Sequence, residues 1–166
     1  MEHVLRIFNT DIMPRFRSGH YRLSCDQEIS PGCLYFNELP SPDAQVLSMH
    51  DACQCVGSIT FQPCMLIRDS IEIFSFTTTD RRRRGINLVL RMFAILLIRS
   101  MYPDARYIVS YAEAEASVVA ARRLGFQKYP DKALEIFVLP MDPCTFDRIG
   151  RMLIDQIVRS QKNKTP

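Results

Sequence analysis

The chain has 166 residues, 47% of them hydrophobic and 23% charged. That is enough length and apolar surface for one domain with a real core, and it excludes a disordered polypeptide. The net charge of +3 is small, and four of the 21 basic residues sit in a single run, so no general affinity for nucleic acid or membrane follows from the total.

Residues 3–8 alternate weakly between polar and apolar and predict a first strand. Residues 9–32 hold Pro14, Gly19, Pro31 and Gly32 and predict loop with one short helix; Pro40, Ser41, Pro42 and Asp43 mark a turn. Residues 45–49 and 55–61 are predicted as paired strands joined through 50–54. After a connection over 63–69, Ser70 to Thr77 form the next strand, and its partly continuous apolar character predicts burial on both faces. Residues 87–101 predict a helix that is apolar almost all round, hence a core helix, ended by Tyr102, Pro103 and Asp104. Residues 106–111 read as a strand, and alanine-rich 114–124 as a short helix closed by Gly125. Two further strands are expected over 126–129 and 134–139. Phe146, Ile149, Leu153 and Ile157 recur at helical spacing, which predicts a last amphipathic helix over 145–160 and a frayed tail over 161–166. This order fits an α/β or α+β fold, a sheet with helices on its faces, in a single domain over 1–160.

Six cysteines (Cys25, Cys33, Cys53, Cys55, Cys64, Cys144) lack framework-like spacing, and no signal-peptide core follows Met1. They read as reduced thiols of an intracellular, cytoplasmic protein. A metal site from His50, Cys53, Cys55 and Cys64 is the rival, but its C-x-C spacing is unlike the zinc C-x-x-C hairpin, and no metal is expected. The longest apolar stretch, 88–98, is interrupted by Arg91 and is too short to span a bilayer of roughly 30 Å.

The most informative segment is 71–87. An apolar run ends in three threonines, then four arginines and Gly85, and a helical pattern follows at once. Free N–H groups of a first helical turn, the positive end of the helix dipole and guanidinium groups together make an anion site suited to phosphate. The nucleotide string G-x-x-x-x-G-K-[S/T] and the dinucleotide string G-x-G-x-x-G are both absent.

Arg82-Arg83-Arg84-Gly85-Ile86-Asn87 resembles the R/Q-x-x-G-x-G/A pyrophosphate loop of the GNAT superfamily, the acyl-CoA-dependent N-acetyltransferases. The resemblance runs over 53–139, through the preceding strand at 55–61 and the Leu124-Gly125-Phe126 step, and is poor over 9–45. It implies a mixed, mostly antiparallel central sheet flanked by helices, with the C-terminal amphipathic helix as an addition. It implies acetyl-CoA as co-substrate, with backbone N–H groups from Arg83 to Asn87 and the side chain of Arg82 at the pyrophosphate. Arg83 and Arg84 would add bidentate phosphate donors. Backbone groups near Phe76 and Thr77 would face the pantetheine slot, and one N–H there would polarise the thioester carbonyl.

Two departures bear on catalysis. The last motif position, usually glycine or alanine, is Asn87, whose side chain would either crowd the phosphate or cap the helix. The tyrosine that commonly protonates the departing thiolate falls at Ala121, and the usual asparagine at Glu115. Tyr111 is the candidate replacement acid. Only roughly one alkylamine in a thousand is neutral at pH 7, so a base is required. Glu72 is the candidate, its alternative being an ordinary outward-facing strand carboxylate; Glu113 and Glu115 come second. Phe74, Phe76 and Phe93 read as core.

The function implied is acetyl transfer to an amine acceptor, small or on a protein, by direct attack in a ternary complex. The alternative is a non-catalytic module that binds CoA or a protein partner. Neither membrane nor nucleic acid is expected as a partner, and the last helix could cover the core or pair two copies. Replacing Arg82 with Ala together with Gly85→Asp should abolish CoA binding in titration calorimetry while leaving the circular dichroism spectrum unchanged; unaltered affinity would refute the placement of the pyrophosphate.

Overall fold

The computed structural model describes residues 1–15, 21–26, 43–52, 54–77, 86–111, 115–130 and 135–162. Helix α1 (Glu2–Ile7) continues through a π turn (Phe8–Ile12) and a 3-10 turn (Met13–Arg15). Strands β1 (Tyr21–Asp26), β2 (Gln45–Asp51), β3 (Gln54–Pro63) and β4 (Ser70–Thr77) follow. Helix α2 (Ile86–Met101), β5 (Tyr107–Tyr111), α3 (Glu115–Leu124), β6 (Gln127–Lys128), β7 (Ile136–Pro140) and α4 (Pro143–Lys162) complete the order. The seven strands make one sheet in the order β1-β2-β3-β4-β5-β7-β6. Among neighbouring strands of the described residues only β4 and β5 run parallel, and the helical crossover α2 joins them.

Alternation along each strand sorts the sheet into two faces. Leu23, Leu47, Ile59, Phe61, Ile71, Ile73, Ile108 and Leu139 share one face, and they form one cluster with Leu90, Phe93, Leu97 and Ile98 of α2, Leu124 of α3 and Ile149 and Leu153 of α4. The other face is mixed. Val46, Val109 and Ile136 are buried there, and so are Ser48, Ser58, Thr60 and Glu72.

Two expectations for the N-terminal part are corrected. Residues 3–8 are helical, because Val4, Phe8 and Ile12 recur every four residues and turn inward, with the Phe8 ring 4.6 Å from that of Phe93. The loop expected over 9–32 contains β1, where Tyr21, Leu23 and Cys25 alternate toward the core. Asn9 fixes the two pieces together: its amide donates to the carbonyl of Leu23 and its oxygen accepts from the Leu23 N–H, each at 2.8 Å. Among the remaining elements, boundaries differ by no more than two residues from those expected, which leaves the strand expected over 126–129 two residues long. The turn residues 40–42, the tail residues 163–166 and Glu113 lie outside the described residues.

Helix α4 starts on Asp142, whose carboxylate accepts from the Thr145 N–H at 2.7 Å, with Pro143 in the first helical position. Helix α3 ends on Gly125 at φ +90, with the Phe126 N–H bonded to the Ala121 carbonyl and the Gly125 N–H to the Arg122 carbonyl. This is the paired arrangement of a left-handed helix terminus. A Cβ on Gly125 would be strained by that φ whatever the space, and would only push aside the flexible end of Arg148, whereas a Cβ on Gly150 would meet nothing within 4 Å. Gly125→Ala should therefore destabilise the protein by about 1–3 kcal/mol, and Gly150→Ala should stabilise it by about 0.5–1 kcal/mol, in urea unfolding. Equal effects at the two glycines would overturn this account.

Candidate active site where β4 leaves β5

Strand β4 is paired with β3 along its whole length, from Ile71↔Pro63 to Thr77↔Gly57. Against β5 it is paired only from Ser70↔Tyr107 to Ile73↔Ser110. Past Ile73↔Ser110 the pairing stops, and the backbone groups of Ser75 to Thr77 that point toward β5 have no partner on it among the described residues. A gap thus opens in the plane of the sheet, edged by main-chain donors and acceptors.

On the face covered by α2, the gap is crossed by one buried cation. The side chain of Arg91 is 1% exposed, although α2 is otherwise apolar around it. Its Nη1 donates to Ser110 Oγ on β5 at 3.0 Å, its Nη2 to Ser75 Oγ on β4 at 2.9 Å, and its Nε to Asn87 Oδ1 one helical turn back at 2.9 Å. Asn87 Nδ2 donates to Ser75 Oγ at 3.3 Å. Burial pulls the Arg91 pKa down to about 10, so the guanidinium still carries its charge at neutral pH. No carboxylate pairs with it among the described residues.

On the opposite face, Glu72 and Tyr111 come together. Glu72 is 8% exposed, so it is not the outward-facing carboxylate that its residue type alone would suggest. Gln62 Nε2 donates to its Oε1 at 2.6 Å, and the Tyr111 hydroxyl donates to its Oε2 at 3.2 Å. The Tyr111 ring stacks on Phe74 with centroids 5.6 Å apart, across the point where the strands part. Burial, with the Cys64 thiol and the Glu72 carboxylate beside it, pushes the Tyr111 phenol well above its ordinary value.

The expected site residues therefore divide. Glu72 and Tyr111, matched separately from the sequence, share a hydrogen bond. Phe76 and Thr77 lie on the free stretch of β4, opposite Ser58 and Gly57 of β3. Ile86 and Asn87 open α2, and the Asn87 side chain turns inward to Ser75 and Arg91. Arg82, Arg83, Arg84 and Gly85 lie outside the described residues. Glu115 is exposed in the first turn of α3, while Ala121 is fully buried with its carbonyl inside the helix terminus. Sequence reasoning passed over Ser75, Ser110 and Arg91. The signal for the last was a lone arginine inside an apolar helix, which can stay there only with polar partners across from it.

The raised Tyr111 phenol has a readable consequence. A folded-state pKa above the unfolded value of about 10 means that this contribution to stability is complete below that pH and is lost as pH rises through and beyond it. In an ultraviolet difference titration, Tyr111→Phe should remove a tyrosine from the most alkaline end of the curve; loss of an early-ionising tyrosine instead would contradict the burial argument.

No protein-family model and no curated protein matches the sequence. Solved structures do. A point mutant of the toxin AtaT, bound to the C-terminus of the antitoxin AtaR and acetyl-CoA, is similar with a TM-score of 0.59 and 11% identity over 80% of this chain and 98% of that one. An N-acetyltransferase from Staphylococcus aureus Mu50 is similar with a TM-score of 0.55 and 15% identity over 74% of this chain and 99% of that one. A protein from Desulfovibrio desulfuricans assigned to the GNAT acetyltransferases is similar with a TM-score of 0.52 and 12% identity over 61% and 71%. At such identities the likeness is one of architecture, and by that architecture the chain is a divergent protein of the GNAT fold.

Proposed function

We propose that this chain transfers an acetyl group from acetyl-CoA to an amine. The observation that carries the reading is the early parting of β4 from β5, with a buried carboxylate on one face of the gap and a buried cation on the other. Pantetheine is a narrow arm with amide groups, and the backbone of Ser75 to Thr77, which β5 does not pair, offers it the hydrogen bonds a neighbouring strand would otherwise make. At the start of α2, the N–H groups of Ile86 and Asn87 would meet the pyrophosphate with the help of Arg82, Arg83, Arg84 and Gly85. Acetyl-CoA supplies an activated thioester.

Glu72 is assigned as the base that takes the proton from the incoming amine. Both its oxygens already accept one hydrogen bond, from Gln62 and from Tyr111, and each keeps a lone pair for the substrate. Tyr111 suits the role of orienting Glu72 better than that of an acid. A phenol held above its usual range does not give its proton readily to a thiolate whose conjugate acid has a pKa of about 8.5.

A second reading is a module that binds CoA or a protein partner without turnover. It is supported by the full burial of Ala121, which leaves α3 without a phenol at the usual position, and by the complex of the similar toxin AtaT with its antitoxin. In titration calorimetry the protein should bind acetyl-CoA; no binding at millimolar ligand overturns the enzyme reading. In a thiol-release assay over amine classes, Glu72→Gln should keep its affinity for acetyl-CoA and lose about 10²–10⁴-fold in kcat at neutral pH. An unchanged kcat would place the base elsewhere.

A further inference from the structure

Arg91 is expensive to keep where it is. A guanidinium at 1% exposure, with no carboxylate partner among the described residues, gives up its hydration, and only a compensating anion or a full set of acceptors offsets that. Among the described residues the set is not full. A guanidinium has five N–H groups, and three acceptors meet it there: Asn87 Oδ1, Ser110 Oγ and Ser75 Oγ. One N–H on each terminal nitrogen has no acceptor among them. Ser75 lies on the stretch of β4 that β5 does not pair, and Ser110 is the last residue of β5 that β4 does pair. The positive charge therefore sits at the vertex of the gap, not on the wall of a closed core.

We propose that Arg91 is an anion-stabilising catalytic residue: it holds the departing CoA sulfur as a thiolate, so that no proton donor is needed. The inference rests on the reading of the gap as the pantetheine slot, and it names what that reading left without an owner. In the step, the amine nitrogen forms a bond to the thioester carbonyl carbon and the carbon–sulfur bond breaks. The electron pair of that bond goes to sulfur, the surplus amine proton goes to Glu72, and CoA leaves as an anion beside the guanidinium. The two groups stand on opposite faces of the sheet, so the proton is removed from one side and the negative charge collects on the other.

The surroundings suit this division. Ser75, Ser110 and Asn87, the side chains that accept hydrogen bonds from Arg91 among the described residues, carry no charge that could neutralise it. Among the described residues, the titratable groups Glu72, Tyr111 and Cys64 are gathered across the sheet. Ala121 of α3, where a phenol would have served, is sealed in the core. A fixed cation aimed at the place where charge develops, in a site shielded from water, lowers a barrier without any transfer of a proton.

The test compares CoA with desulfo-CoA by calorimetry in buffers of different ionisation enthalpy. A cation next to the sulfur lowers the pKa of an ordinary thiol from about 8.5 to about 7.5 or below. Wild-type protein should therefore release protons on binding CoA near neutral pH and none on binding desulfo-CoA, and its preference for CoA should grow about tenfold as the thiol ionises. Arg91→Lys should keep part of the proton release; Arg91→Met should lose it and lower kcat more than it raises KM for acetyl-CoA. If CoA binds and wild-type protein releases no protons, or if Arg91→Met releases as many, the inference is wrong while the slot stands. If neither ligand binds, the slot itself is wrong, and this inference falls with it.

Discussion

The contact on which the rest of the site depends is the bridge from Arg91 to Ser75 and Ser110. A sheet that opens partway along two strands loses ladder hydrogen bonds on both edges, and nothing in strand geometry sets how wide the opening should be. Here a rigid, planar group reaches up from α2 and bonds each strand at the point of parting. Because the guanidinium fork is flat and its donors diverge at set angles, it fixes spacing in a way that a flexible ammonium could not. Its net effect on stability is modest, since charge-assisted hydrogen bonds are set against desolvation. What it contributes is geometry.

The alternation of side chains then turns one gap into two environments. The α2 face is largely apolar around the Arg91 network. The opposite face carries Ser48 against Ser58, Thr60 against Phe74, and Gln62 against Glu72 in register, so polar side chains lead across three strands toward the same vertex. A buried serine, threonine and carboxylate on adjacent strands is an unusual way to build a core, but a reasonable way to build the floor of a site that receives a polar substrate. The sheet is one residue thick, so the two environments lie within a single backbone of each other.

The architecture was legible in the sequence from β2 onward because each signal there was local: alternation in β2 and β3, the apolar helix α2, Gly125 closing α3, and heptad-like spacing in α4. The N-terminal part was not. Residues 3–8 satisfy weak alternation and four-residue spacing at once, and only the position of Phe93 decides between them. Strand β1 is six residues long and is recognisable chiefly by its partner. At the site, Glu72 and Tyr111 could be picked out singly, but their hydrogen bond spans 39 residues and follows from the parallel register of β4 and β5. The Arg91 network was invisible for the same reason: Ser75 and Ser110 are unremarkable until a crossover helix brings a cation between them.

The clamp between Asn9 and Leu23 has a consequence for how this protein can meet others. Strand β1 is one margin of the sheet, and the N–H and carbonyl of Leu23 are the kind of main-chain pair that would invite an incoming strand. Both are already occupied by a side-chain amide, which imitates one peptide unit of a neighbour and then stops. At the other margin, β6 is two residues long, too short a template for a foreign chain. Among the described residues both margins therefore offer little template to an incoming strand, and lengthening the sheet past Leu23 would mean evicting Asn9 first.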